Sequence, residues 1–426
     1  MYDLFYILQI CFSLYYNKNM TLCFNLRYQL QSFIYHINYN HFNERTPMKV
    51  IHKVFEPAIL PKDINFLLQL AFPDTAYTIS DLLFWDIETT GFSAKTSICY
   101  LIGCVYYKEG KWNYCQFFAE LPEEEPLIID QFSSILKQYT IIVHFNGDGF
   151  DIPFLNTRSQ LLKVTIDFSQ MIHMDLYQYA KKTHKLLKLE QYKQKNIEHF
   201  IGINRTDHFA GGDLIYVYNT FVQKKMLNEE IDNELSTLLL HNQEDICALP
   251  PLSAVIGYFM LPEMILFSTL DWTLNDTKDF TGNTVKELTF TATLPSFMPA
   301  TVSYGKEPFY IKSYDNILKL QIKLYQGELR HFYKNYRDYY YLPSEDIAVH
   351  KSVSFYVDKN YRIQAKASTC YLRKKGIFVP QTSDFIVPEF IKNISDKTSY
   401  FEFTKDFCED KKRSKNYVKT ILKDIL

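Results

Sequence analysis

The chain has 426 residues, of which 47% are hydrophobic and 22% charged, so disordered and collagen-like classes are excluded and the length allows two or three domains. The formal net charge of -2 hides a split: from Thr301 onward there is an excess of eight positive charges, while the first 300 residues carry ten excess negative ones. Eight cysteines form no CxxC pair, which is the expectation for reduced structural thiols in a cytoplasmic protein, and no apolar run reaches the ~18 residues of a membrane helix. The aromatic share of 16%, with 33 Tyr and 34 Phe, fits either base-stacking platforms or the bias of an A+T-rich coding sequence.

Residues 1–47 are rich in Tyr, Phe and Asn without clear periodicity and read as an extension of uncertain order; 48–80 form a lead-in segment that opens with MKVIHKVFEP. Three β-type runs follow, LLFWDIE (82–88), SICYLIGCVYY (97–107) and KWNYCQFFAE (111–120). The last two are joined by Lys108, Glu109 and Gly110 as a hairpin. PEEEPLIIDQFSSILKQY (122–139) has acidic residues at its start and apolar residues at helical spacing, so it is expected as an amphipathic helix. TIIVHF (140–145) is a buried-type strand, and helices are expected near 151–162, 174–187, 213–226 and 229–249. After Pro250 and Pro251 the character changes, and alternating runs from about 289 to 356 indicate strands. The organisation expected is therefore a domain over 81–260 and a basic, strand-rich α+β domain over 285–426.

The informative residues are carboxylates at the ends of apolar elements. Asp86 and Glu88 close the strand LLFWDIETTG, and as i and i+2 they share one face of it. Side by side on a core strand they repel and lose hydration, and no Lys or Arg occurs from Leu82 to Phe92 to offset this. A hard divalent cation, Mg²⁺ or Mn²⁺, is the natural partner. Asp151 stands where VHFNGDGFD enters a helix, a place that an N-terminal cap also fits. His241 and Asp245 are i and i+4 on the helix of LLLHNQEDICAL, one turn apart on one face.

In this order the motifs DIETTG, NGDGFD and HNQED resemble those of the DEDD superfamily of 3′-to-5′ exonucleases. The closer resemblance is to YprB-type proteins, predicted bacterial exonucleases with a ribonuclease H-like domain, and it extends over about 80–255, including LLKLEQYKQKNIEHFIGINRTDHFAGGDLIYVY. It implies an α/β fold with a ribonuclease H-like mixed sheet flanked by helices, and metal-assisted hydrolysis of DNA or RNA. In that scheme Asp86, Glu88, Asp151 and Asp245 hold two Mg²⁺ or Mn²⁺ ions and Asp86 bridges them. His241 would be the general base, although it stands four residues before Asp245, a spacing that matches one branch of the superfamily while its residue type matches the other.

Thr89 and Thr90 are candidates to hold the terminal nucleotide, and Asn146 to contact the phosphate or serve the turn. Arg205 and Lys195 are expected to reach a nucleic-acid backbone or to be solvated surface residues, and Asp175 either matches a further family position or caps the next helix. The expected partner is nucleic acid, in particular single-stranded ends. The competing class is a nucleic-acid-binding adaptor that retains the fold without turnover.

Overall fold

The computed structural model describes residues 48–57, 64–207, 209, 211–278, 281–383 and 386–426, so the extension expected over 1–47 lies outside the described residues. The first part of the chain runs β1 (Lys49–Phe55), α1 (Ile64–Ala71), β2 (Leu82–Thr89), β3 (Cys99–Lys108), β4 (Lys111–Phe118), α2 (Glu125–Leu136), β5 (Ile141–His144), α3 (Asp151–Leu162) and β6 (Ile172–Asp175). It continues as helices α4 (Leu176–Lys182), α5 (His184–Leu187), α6 (Gln194–Phe200), α7 (Gly211–Met226) and α8 (Asp232–Leu252).

The six strands form one mixed sheet in the order β1-β4-β3-β2-β5-β6. β2 pairs antiparallel with β3 and parallel with β5, and β5 pairs parallel with β6. This is a ribonuclease H-like α/β arrangement. Glu109 and Gly110 both have positive φ (52° and 78°), so the β3–β4 hairpin closes through a two-residue turn whose twist matches the strands it joins.

β2 is central, and its alternation places the site. Leu83, Trp85 and Ile87 point to one face, where Trp85 stacks on Phe168 and tilts against Phe132 of α2. Leu82, Phe84, Asp86 and Glu88 point to the other, where Leu82 and Phe84 join Ile246, Leu249 and Leu252 of α8 in one apolar cluster. Asp86 is opposite Gly103 on β3. A Cβ at Gly103 would lie 2.1 Å from Asn242 Oδ1 and 2.9 Å from Ile246 Cδ1 of α8, so the missing side chain admits the helix to the sheet. Buried Asn242 in turn accepts a hydrogen bond from Gln116 Nε2 at 3.1 Å, which fixes its position.

Two elements differ from the sequence expectation. The helix expected over 174–187 begins with strand β6, and only then turns into α4 and α5. Asp175 ends the strand and caps α4, its side chain accepting from Tyr177 N–H, so strand and helix share a boundary residue and the four-residue strand is masked. The helix expected to stop before Pro250 continues to Leu252 with both prolines in its last turn, where neither can donate to the carbonyl four residues before it, and it ends directly after them.

After α9 (Val255–Phe259) and α10 (Leu261–Met264) the chain is strand-rich, as expected. β7 (Thr269–Lys278), β8 (Thr284–Lys306) and β9 (Phe309–Lys323) form an antiparallel sheet, and shorter strands from Tyr325 to Glu402 form two more three-stranded sheets. The chain closes with helices α11 (Lys405–Glu409) and α12 (Lys411–Ile425). Phe290, Leu318, Tyr417 and Ile421 belong to the same apolar cluster as Leu82 and Phe84. The six cysteines among the described residues are free thiols, and no single described helix is long and apolar enough to cross a membrane.

Substituting Gly103→Ala forces Asn242 and Ile246 away from β3. A loss of roughly 1–3 kcal/mol in unfolding free energy is expected, measured by denaturant titration. A wild-type midpoint would show that α8 does not depend on this close approach.

Candidate metal and acid-base site

The sheet brings the sequence-selected acids together. Asp86 and Glu88 come from β2, Asp151 opens α3 beyond the end of β5, and Asp245 projects from α8 with His241 one turn before it. Glu88 and Asp151 are buried, at 8% and 5% exposure, while Asp86 and Asp245 are half-buried. Burial drives the Asp86 carboxyl well above its usual range, and the negative charges of Asp151, Asp245 and Glu88 add to this, with Arg205 opposing. Glu88 is raised in the same way, by burial first and then by Asp245 and Asp151. Asp151 is pushed up to about 7 by burial, Asp175 and Asp245. Asp86, Glu88 and Asp151 are thus each raised first by burial and then by neighbouring carboxylates.

The residues present fit a divalent cation. Glu88 Oε1 is buried and has no hydrogen-bond partner, an expensive state for a carboxylate oxygen unless something positive meets it. Glu88, His241 and Asp245 each present a ligand atom within 4.8 Å of the others. The surrounding donors are hard carboxylate oxygens, the set that suits Mg²⁺ or Mn²⁺.

His241 is held on both sides. Its Nδ1 lies 2.6 Å from Asp207 Oδ2, and its Nε2 lies 3.1 Å from Asp245 Oδ2 and 3.8 Å from Glu88 Oε1. The Asp207 contact assigns the ring proton of neutral His241 to Nδ1 and leaves the Nε2 lone pair facing the acids. Burial works to raise the Asp207 carboxyl, but Lys195, the Phe209 N–H and His241 outweigh it and hold it below its ordinary value. Asp207 was not selected from the sequence, nor was Glu198. The signal available was a pair of acids within NIEHFIGINRTDHF, which also reads as an ordinary solvated surface.

Arg205 sits inside this arrangement. Its guanidinium donates to both Glu198 oxygens and to Asp245 Oδ1, and its side chain is 7% exposed. It therefore braces a site carboxylate and does not present a free cation to solvent. Lys195 is similarly engaged, with Asp207 Oδ2 at 2.9 Å and the Phe209 carbonyl at 2.6 Å. The segment around Arg205 is tied to α8 from its other side as well, since Glu244 accepts from the N–H groups of Thr206 and Asp207 at 3.0 and 2.9 Å.

Thr89 and Thr90 follow the carboxylates directly, with their hydroxyls engaged locally. Thr89 Oγ1 donates to the Gly91 carbonyl at 3.0 Å, and Thr90 Oγ1 accepts from Ile98 N–H at 3.0 Å. Asn146 adopts a left-handed conformation (φ 63°) and its N–H donates to Asp175 Oδ1 at 2.8 Å, which shapes the turn between β5 and α3. Of the basic residues in the tail, Lys374 pairs with Glu402 at 2.6 Å and Lys415 caps the Leu266 carbonyl at 3.1 Å.

Residues 83–256 match the family model described as the RNase_H superfamily, so the chain carries an RNase H-like domain over this span. Among solved structures it is similar to the family B DNA polymerase from the hyperthermophilic archaeon Pyrobaculum calidifontis, with 16% sequence identity and a TM-score of 0.34. That similarity covers 43% of this chain and 25% of the polymerase chain, so it spans a quarter of the polymerase. No curated protein matches the sequence.

A carboxyl that binds its proton more tightly folded than unfolded stabilises the fold in acid, and that contribution is lost as pH rises. For Asp151 the window runs from its usual 3.8 to about 7. Metal-free protein in EDTA is therefore expected to melt at progressively lower temperature across this range, and Mn²⁺ is expected to restore the melting temperature at pH ~8. Asp151→Asn should flatten the pH dependence. A melting temperature that rises over this interval in EDTA would contradict the buried cluster.

Proposed function

We propose that this protein is a metal-dependent exonuclease that hydrolyses DNA or RNA from single-stranded 3′ ends. The observation that carries the reading is the convergence of four carboxylates, Asp86, Glu88, Asp151 and Asp245, in an RNase H-like domain, with a buried Glu88 oxygen left without a partner. The 3′-to-5′ direction rests on the resemblance of DIETTG, NGDGFD and HNQED to the exonuclease motifs.

The four carboxylates would hold two Mg²⁺ or Mn²⁺ ions, which when bound supply Lewis-acid activation of water and charge stabilisation at the leaving oxygen. The chain's own contribution is to place and neutralise groups around them. His241 accepts the proton of the attacking water at Nε2, because Asp207 holds its Nδ1 proton and so fixes both tautomer and ring orientation. Arg205 holds Asp245 in place through the Glu198 pair. The backbone around Thr89 and Thr90 and the turn at Asn146 flank the acids, where a terminal nucleotide and its phosphate would rest.

Purified full-length protein incubated with end-labelled single- and double-stranded DNA and RNA, in Mn²⁺ or EDTA, tests this. Metal-dependent release of mononucleotides from the 3′ end is expected, with a loss of at least ~100-fold in Asp86→Ala. Binding without degradation in every condition would overturn it in favour of the adaptor reading. Asp207→Asn is expected to lower kcat by ~10–100-fold with little change in KM, since it removes the group that orients the base. An unchanged kcat would take Asp207 out of the mechanism.

A further inference from the structure

A second cluster of ligand-type side chains shares no residue with the carboxylate site. His144 ends β5, His173 lies beside it on β6, and Asp148 comes from the turn between β5 and α3. β5 and β6 are paired in register, with Ile142 opposite His173 and His144 opposite Asp175, so both imidazoles lie at one end of the sheet. Asp148 Oδ1 lies 2.7 Å from His173 Nδ1 and 3.6 Å from His144 Nε2. One ligand atom from each of the three residues falls within 4.8 Å of the others.

We propose that His144, Asp148 and His173 bind a single transition-metal cation of the Zn²⁺ type. Two imidazole nitrogens and one carboxylate oxygen are a borderline donor set, which favours zinc-like ions over the harder Mg²⁺. Ligands ~2.0–2.1 Å from a common tetrahedral centre lie about 3.3 Å apart, and the two contacts at Asp148 Oδ1 bracket that spacing.

An independent observation at the site points to a ligand. His144 is fully buried at 0% exposure, yet its Nε2, the nitrogen turned toward Asp148, has no hydrogen-bond partner. Burial holds the imidazole neutral, its pKa pushed down to about 4 despite the opposing charge of Asp148, and neutral imidazole is the ligating form. Asp175 Oδ2 is a second buried orphan and lies 4.0 Å from His144 Nδ1.

Without metal, Gly147 N–H donates to Nδ1 at 3.1 Å, so the ring proton resides on the unpartnered Nε2. Ligation at Nε2 moves that proton to Nδ1. The Gly147 hydrogen bond is then exchanged for one to Asp175, a carboxylate–histidine–metal relay. His173 has its own support, since Nε2 lies 3.4 Å from the Phe168 carbonyl when Nδ1 ligates in place of its proton. The metal would fasten the turn at 145–150 to β6, and that turn leads into Asp151.

Co²⁺ titration of the full chain in the Asp86→Ala background, with excess Mg²⁺, tests the site without relying on nuclease activity. One equivalent of cobalt giving intense tetrahedral d–d bands, displaced by Zn²⁺, is expected. Adding His173→Ala or Asp148→Ala should abolish the bands; both side chains are partly exposed, and far-UV circular dichroism verifies that the variants fold. No tetrahedral spectrum in the Asp86→Ala background, or a spectrum that survives His173→Ala, would overturn the proposal. Cobalt binding in this background, together with no exonuclease activity in the protein that retains Asp86, would uphold this site while removing the nuclease reading.

Discussion

Four carboxylates face one another where the central strand of the sheet meets the long helix α8, and their mutual repulsion is the constraint around which the neighbouring residues are arranged. Asp86 and Glu88 cannot move apart, because the pairing of β2 with β3 runs through both of them. Asp245 cannot withdraw either, because α8 is drawn onto the sheet by Leu249 and Leu252 beneath it and by the space above Gly103. A rigid scaffold is what makes such a cluster tolerable: apolar burial along β2 and α8 offsets the electrostatic cost where the end of the strand meets the middle of the helix.

The compensation comes from the segment between α6 and α7. Glu198 orients Arg205, Arg205 grips Asp245, and Asp207 orients His241 while being held by Lys195. Glu244, next to Asp245 on α8, ties the backbone of this segment down through Thr206 and Asp207. Alternating charges over these contacts form a chain in which Arg205, Asp245, His241 and Asp207 each meet two others, with Glu198 and Lys195 at its ends. Arg205 also competes with any cation for Asp245 Oδ1, so the same contact that positions the carboxylate limits how much of it a metal can use.

The strand LLFWDIET and the helix LLLHNQEDICAL were legible because each is an apolar element interrupted by acids, and periodicity alone then assigns the acids to one face. The hairpin at Glu109 and Gly110 was legible from its turn residues. Strand β6 was not, because four residues carry no periodicity and Asp175 serves both the strand and the helix after it. Glu198 and Asp207 escaped, and Arg205 was read as a nucleic-acid contact or a solvated residue, for another reason. Their partners are distant in sequence, and a charged residue buried by pairing has the same local appearance as one solvated on a surface. The excess of basic residues after Thr301 was equally ambiguous, and several of them pair within the C-terminal sheets.

Charge balance links the network to the proposed occupancy. Asp86, Glu88, Asp151, Asp245 and Glu198 carry five negative charges when ionised, and Arg205 contributes one positive charge directly among them. Lys195 is matched by Asp207, and Asp175 is stabilised by the N–H groups of Asn146 and Tyr177. One divalent ion would leave two negative charges uncompensated in a partly dehydrated space. Two ions, as proposed, would remove the deficit and let all four acids ionise together. Glu198 is thus as much a determinant of the site's charge as the acids that would touch metal: without it, Arg205 would bring a full positive charge to Asp245 and oppose the second cation.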